Sequence, residues 1–175
     1  MDLLDAMQRT VFLGPEFLTW LWFRAERDDG EFNLNTTEIG PLEVFFDDRL
    51  VVGSPLVDAQ QNHFKGGQPA TSLEARTALR LGKQAAEAKL RIVVGAQEWS
   101  FIFKAASFQL ASVKLPAVLS KEDDARFAER MFLLEQLDRI LRGLYHQFLA
   151  VRLDDAWEAT ELPGIRAWVA AGHEA

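Results

Sequence analysis

A long run of periodic apolar residues near the C-terminus constrains the fold of this chain more than any other feature. Between Lys121 and Val151 the apolar residues recur every three or four positions: Phe127, Met131, Leu134, Leu137, Leu141, Leu144 and Phe148. This spacing predicts one amphipathic helix, with Gly143 as its weakest point. At about 30 residues it is longer than the mean globular helix. Its length is compatible with two arrangements, and the pattern leaves both open. Either part of the helix packs against a second copy of the chain or another subunit, or the whole helix lies within one core.

A second pattern, of period two, predicts a sheet. Trp99, Phe101 and Phe103 alternate with Ser100, Ile102 and Lys104. The strand-like segment Leu90–Val94 precedes them, and a run through Phe108, Leu110, Ser112 and Lys114 follows. Three such runs joined by short turns form an antiparallel meander. Its aromatic face requires a covering helix, and its other face displays Lys104 and Lys114.

The N-terminal third predicts one buried helix and a hairpin. The apolar helix Phe17–Phe23, with Pro15 in its first turn, belongs in the core or an interface, and Gly14 to Glu16 interrupt the apolar run too early for a membrane span. Strands are predicted at Glu31–Asn35 and Leu42–Phe46, with Asp47-Asp48 turning the latter into Arg49–Gly53. Pro55–Pro69 is expected to be a loop, and a short final helix carrying Trp157, Pro163, Ile165 and Trp168 is expected to fold back on the long helix.

Composition agrees with one compact α+β domain over residues 1–175, an antiparallel meander covered by helices, because 49% apolar content can bury a sizeable core. The chain has no cysteine, which excludes disulfides and thiolate zinc sites. With only three histidines we expect no metal site and no cofactor. Cytoplasmic residence is the default expectation.

The net charge of −7 hides an asymmetry along the chain. Residues 65–114 carry three acids against eight bases, whereas residues 1–64 carry twelve against four and residues 115–175 carry eleven against seven. Phosphate affinity depends on local potential, so an acidic total does not exclude a nucleic-acid partner. It does confine such contact to one surface.

A basic helix is predicted inside this middle region. Thr71 or Ser72 can cap it, with Glu74 completing a capping box, and the pattern continues to about Ala88. At 100° per residue, Arg76, Arg80 and Lys83 fall within about 60° of one another, so they form a candidate anion-binding stripe. A solvated charged face is the commoner meaning of such a stripe.

Enzymatic patterns are weak. Glu87-Ala88-Lys89 has the acid-x-lysine spacing of some metal-dependent nucleases, but the predicted helix does not suit it and Asp58 is a remote candidate for the preceding acid. The paired aspartates fit turns and helix starts. There is no phosphate-cradling glycine loop and no serine nucleophile elbow, and His146 has no partner at metal-ligand spacing. We therefore expect no catalytic activity.

The basic segment resembles the C-terminal half of the recombination-associated protein RdgC family. The residues in the resembling order are Gln68, Thr71, Ser72, Glu74, Gly82 and Lys83. Weaker similarity lies at Thr19-Trp20, at Gly30, Phe32 and Leu34, along Trp99–Lys114, and at Arg126-Phe127. It spans roughly residues 17–148. The segment Leu149–Ala175 has no family counterpart, Gly67 stands where the family can have lysine, and the family proteins are longer by an N-terminal half.

The resemblance implies a non-catalytic protein that binds double-stranded DNA through its backbone with little sequence preference. It also implies a nucleoid-associated ring-shaped homodimer that restrains recombinase-driven strand exchange. By resemblance, Gln68 and Lys83 face DNA. Lysine can neutralise a phosphate and glutamine can hydrogen-bond phosphate or sugar, whereas Arg76, Arg80, Lys104 and Lys114 join the candidate site from spacing alone.

The alternative is a protein-interaction subunit of a larger assembly. In it the apolar N-terminal helix, through Trp20, Trp22 and Phe23, and the acidic flanks make the contacts. The two hypotheses differ in salt dependence, since phosphate binding weakens steeply with salt and apolar docking does not.

Overall fold

A computed structural model describes residues 13–34, 38–54 and 60–171 of the chain. Its helices are α1 (Gly14–Arg27), α2 (Leu73–Arg80), α3 (Asp123–Arg152) and α4 (Leu162–Ala171). Its strands are β1 (Glu31–Phe32), β2 (Leu42–Gly53), β3 (Gln61–Lys65), β4 (Gln84–Val94), β5 (Gln97–Lys104) and β6 (Gln109–Lys114). Short 3₁₀ turns lie at Pro69–Thr71 and Ala105–Ser107, and a π-helical turn lies at Trp157–Glu161.

The six strands form one antiparallel sheet. Its order is β1-β2-β4-β5-β6, and β3 pairs with the second half of β2 on the same side as β1. The predicted meander is present as β4, β5 and β6, and the α+β class with a long C-terminal helix is confirmed.

One face of the sheet is covered by helices. The inward residues of β5, Trp99, Phe101 and Phe103, are buried in one cluster with the apolar side of α1 and with Leu137, Leu144 and Phe148 of α3. Phe17 of α1 sits at the centre, with ring centroids 5.9 Å from Phe103 and 5.2 Å from Tyr145. Of the two positions that the sequence left open for α1, core and interface, the structure shows the core.

The predicted hairpin in residues 42–53 is wrong. These residues form the single strand β2, and its register with β4 jumps from Phe46–Leu90 to Leu50–Ala88. Residues 47–49 thus stand opposite Lys89 alone, which is a bulge. Aspartates that suit a turn also suit a bulge, and the bulge keeps the apolar residues on both sides of it facing the core.

Two other boundaries differ from expectation. The predicted loop 55–69 contains β3, which pairs Arg49 with Lys65 across the strands, while residues 55–59 lie outside the described residues.

The final helix α4 packs on α1 and α2, because Trp168 meets Trp22 edge-on at 5.1 Å and lies under Arg76. Trp157, ahead of α4, makes the contact with Phe148 of the long helix.

Candidate nucleic-acid interface

The predicted basic helix is shorter than its sequence pattern. Ser72 caps it by accepting a hydrogen bond from the Ala75 amide at 3.1 Å, and the helix ends at Arg80. Gly82, with φ of 84°, donates to the Leu79 carbonyl while Lys83 donates to Ala78, the two bonds of a Schellman motif. The prediction of helix to about Ala88 is wrong, because residues 84–94 are strand β4.

Arg76 makes structural contacts. Its guanidinium bonds a carboxyl oxygen of Glu26 on α1, donates to the Trp168 carbonyl at 2.8 Å and lies 4.5 Å from the centroid of the Trp168 ring. Its side chain is only 15% exposed. Glu26 also accepts the indole hydrogens of Trp22 and Trp168. Arg76 therefore joins α1, α2 and α4, and we leave it out of the candidate surface.

The other residues singled out around α2 lie on the helix-covered side or at its edge. Arg80 is exposed, and Lys83 donates to the Asn62 side chain of β3 at 2.5 Å. Asn62 shares a face with the buried Val52 across the strands, so Lys83 belongs to the helical side. Gln68 is exposed and borders a cavity that also contacts Glu26 and Arg91.

Lys104 and Lys114 lie on the opposite, uncovered face of the sheet. Cross-strand pairs share a face, and Lys114 pairs with Ser100 while Lys104 pairs with Glu87. Ser100 and Glu87 alternate with buried neighbours on their strands, which places all four side chains outward. The six residues singled out from the sequence therefore do not form one surface.

The uncovered face contains a basic groove of about 380 Å³. Four bases line it, each from a different strand: Arg49 of β2, Lys65 of β3, Lys89 of β4 and Lys114 of β6. Asp48 is the single acid in its lining, and Gly66, Ser100 and Ser112 contribute small or polar surface. Lys65 and Lys114 come from the strands on its two sides, β3 and β6, whose backbones are four strand spacings or about 19 Å apart. We call this site the sheet groove.

Two of the four bases in the sheet groove are paired with carboxylates. Lys89 donates to Asp48 at 2.8 Å, and Arg49 contacts Glu87 at 2.5 Å. The Lys89 hydrogen bond holds the pKa of the Asp48 carboxyl below its usual value, and the same contact raises the pKa of Lys89. Both groups are thus charged across the physiological range.

Three lysines of the uncovered face have no such partner. Lys65, Lys104 and Lys114 are exposed, and each lacks a hydrogen bond or ion pair within the described part of the chain. Each can therefore neutralise a phosphate of a polyanion and release the cation condensed there.

The other end of the face is acidic. Glu31 and Glu43 stand directly opposite each other on β1 and β2, and with Asp28 and Asp29 they border a separate cavity. Glu43 is six residues from Arg49, or about 20 Å along a strand. The face is therefore polarised, and a polyanion is attracted to the groove end and repelled from the β1 end.

Lys65 and Lys89 were missed by the sequence reasoning. The sequence pattern places Lys65 in a loop and Lys89 just past the end of the predicted helix at about Ala88, and only as strand residues do they join Lys114 on one face. The segment Gln61–Lys65 has Phe64 as its one apolar residue, so it contains no period-two pattern that could have predicted β3.

The nuclease-like spacing Glu87-Ala88-Lys89 also lies on β4, so the helical argument against it was wrong. Both side chains project outward from the strand, but each is engaged by an oppositely charged neighbour. Among the described residues no cluster of three or more metal-ligating side chains could hold an ion. Asp58 lies outside the described residues.

The apolar surface offered to a protein partner differs from expectation. Trp20, Trp22 and Phe23 are buried, so docking through them is wrong for the folded chain. The first half of α3 is exposed instead: Phe127 is 67% exposed and Met131 is 50% exposed, and Leu134 continues the same stripe.

None of the helices in residues 13–34, 38–54 and 60–171 combines the length and apolar character that crossing a bilayer requires.

Comparison with known proteins adds no relative. No protein-family profile matches the chain, and no curated protein matches it in sequence. The similarity to the RdgC family therefore rests on the residues quoted above.

Proposed function

We propose that this protein is a non-catalytic, sequence-nonspecific double-stranded DNA-binding protein of RdgC type that contacts the DNA backbone through the sheet groove. The observation that supports this most is the position of Lys65 and Lys114 on either side of one groove, where neither makes a hydrogen bond or ion pair with the described residues and Lys114 only adds to the electrostatic field at Asp48. Cations that neutralise phosphates supply nearly all of the free energy of nonspecific DNA binding.

The chemistry of the groove suits backbone contact. Lysine is a point charge that accepts many phosphate geometries, and the hydroxyls of Ser100 and Ser112 can donate to phosphate oxygens without reading bases. Lys104 adds a further cation beside the groove, while the acidic β1 end limits the contact to one part of the sheet. A role in recombination follows the RdgC resemblance and belongs to the same proposal.

Fluorescence anisotropy of labelled duplex DNA tests the proposal with two double variants of equal charge change. Lys65→Gln with Lys114→Gln removes the free cations of the groove, and Arg80→Gln with Lys83→Gln removes two cations of the helical side. We expect the first variant to lose most binding and the second to keep it. Loss in the second variant alone would place the DNA on the helix, as the family resemblance implies, and absence of wild-type binding at low salt would refute DNA binding.

One observation favours a second candidate, a protein-interaction role. The stripe Phe127, Met131 and Leu134 exposes large apolar side chains over two helical turns. In this alternative, α3 packs against α3 of a second copy of the chain. Light scattering of the wild type and of Met131→Glu tests it: a dimer mass that falls to that of a monomer in the variant supports self-association, and a wild-type mass near 19.8 kDa contradicts it.

A further inference from the structure

The sheet groove contains its own competing anion. Asp48 is the middle residue of the bulge in β2, where residues 47–49 stand opposite Lys89. Its carboxylate accepts a hydrogen bond from the Lys89 ammonium at 2.8 Å. The Asp48 side chain is 58% exposed. It is therefore held over the groove by the bulge and by one contact to lysine, without burial to fix it there.

We propose that Asp48 is an autoinhibitory counter-charge, which occupies Lys89 and lowers the affinity of the sheet groove for phosphodiesters. This inference rests on the proposed function of the groove. A third cation, Lys89, faces a phosphate that enters between Lys65 and Lys114, but its charge is already neutralised by Asp48. The Asp48 carboxylate also repels the phosphate. The bound polyanion must displace Asp48 or leave Lys89 unused.

The backbone keeps Asp48 in this position. The Asp48 carbonyl accepts a hydrogen bond from the Gly66 amide at 2.9 Å, which ties the bulge to the turn after β3. Gly66 has φ of 82°, a left-handed conformation that suits glycine. The turn that follows Lys65 thus fixes the backbone from which the Asp48 side chain projects, and the carboxylate itself is held by Lys89.

Asp47 provides a matched control. It is the preceding residue, carries the same charge and also lies in the bulge, but its carboxylate contacts Arg91 at 3.3 Å and it does not line the sheet groove. Asp47→Asn and Asp48→Asn therefore change the net charge equally, but only Asp48 hydrogen-bonds Lys89, whereas Asp47 acts on Lys89 through its charge alone.

The test measures dissociation constants for labelled duplex DNA near 0.1 M salt. Each added phosphate contact contributes about [salt] to the power −0.9, so freeing Lys89 is expected to tighten binding roughly 5- to 10-fold in Asp48→Asn. Asp47→Asn is expected to change it less than about 2-fold, since its hydrogen-bond partner Arg91 lies outside the groove and Lys89 keeps its contact with Asp48. Adding Lys89→Gln to Asp48→Asn should abolish the gain, whereas adding Arg80→Gln, which restores the wild-type net charge outside the groove, should keep it.

The outcomes separate this inference from the proposed function. Wild-type binding with equal affinities for the two asparagine variants overturns the autoinhibitory role and leaves DNA binding intact. A gain that survives Lys89→Gln also overturns it, because the gain then does not depend on Lys89. Absence of wild-type binding at low salt refutes the proposed function, and the inference falls with it.

Discussion

Replacing Arg76 with alanine removes three contacts that join α2 to α1 and α4. The side chain loses its ion pair with Glu26, its hydrogen bond to the Trp168 carbonyl at 2.8 Å and its position over the Trp168 ring. What remains is a carboxylate, 22% exposed, that still accepts two indole hydrogens but has lost its counter-charge.

The size of the effect follows from this environment. Breaking a buried ion pair costs about 3–5 kcal/mol, and a cation–π contact contributes about 0.5–2 kcal/mol. Because the Arg76–Glu26 pair is partly exposed, we take the lower end and expect a loss of about 3 kcal/mol in the free energy of unfolding. For a chain of this size that corresponds to a fall in melting temperature of roughly 6–12 °C.

Thermal unfolding followed by circular dichroism measures the change, and Arg80→Ala is the control. Arg80 lies one helical turn further along α2, is exposed, and has no partner among the described residues, so its replacement should change stability by less than about 0.5 kcal/mol. Arg76→Ala should also keep its affinity for DNA at temperatures where it is folded. Unchanged stability together with lost DNA binding would refute the reasoning and make Arg76 a ligand-binding residue.

Gly14→Ala should destabilise the protein by more than about 3 kcal/mol in denaturant titrations, because an added Cβ would lie 1.8 Å from the Ala105 carbonyl oxygen; a stable variant would contradict the packing of α1. Hydrogen bonds from the Ser120 hydroxyl and neighbouring amides lower the pKa of Glu129, so the ionised carboxylate stabilises the fold above pH 4.5 and this stabilisation is lost as the pH falls. Glu129→Gln should therefore lower the free energy of unfolding at neutral pH and leave it unchanged in acid. An equal loss of stability at both pH values would contradict this account of Glu129. Gly67 lines the cavity of Gln68 and Arg91 and not the sheet groove, so Gly67→Lys should leave the log–log salt slope of DNA binding unchanged, and a slope steeper by about 0.9 would instead place DNA at this turn. The substitution should also cost roughly 1 kcal/mol of stability, since φ is 61° there.

The elements predicted well are those whose pattern is set by burial of a continuous face. Trp99, Phe101 and Phe103 must alternate to fill the core from one strand, and the residues Leu137 to Phe148 must recur with helical spacing to cover them. Both patterns are visible in the sequence because each element packs against an extended apolar surface, and the apolar period depends on the element itself and not on which residues form that surface.

The elements missed are those that tertiary contacts impose against local preference. Residues 84–89 are rich in helix formers, yet they form the first half of β4. Ala85 and Ala88 are small enough for α1 to pack closely on the strand, and the Thr19 hydroxyl of α1 accepts a hydrogen bond from the Ala85 amide at 2.9 Å. Gly82 was the available signal that the helix had ended. Without β3 and β4 as strands, the sequence could not bring Lys65 and Lys89 to the groove that Lys114 lines.

The central claim is that the free lysines of the sheet groove and its border neutralise DNA phosphates. The most direct test is the slope of log affinity against log salt between about 50 and 200 mM, for the wild type and for Lys65→Gln with Lys114→Gln. Three free lysines predict a wild-type slope of about −2.7, and removal of two predicts about −0.9. A wild-type slope near zero, or an unchanged slope in the double variant, would contradict the claim.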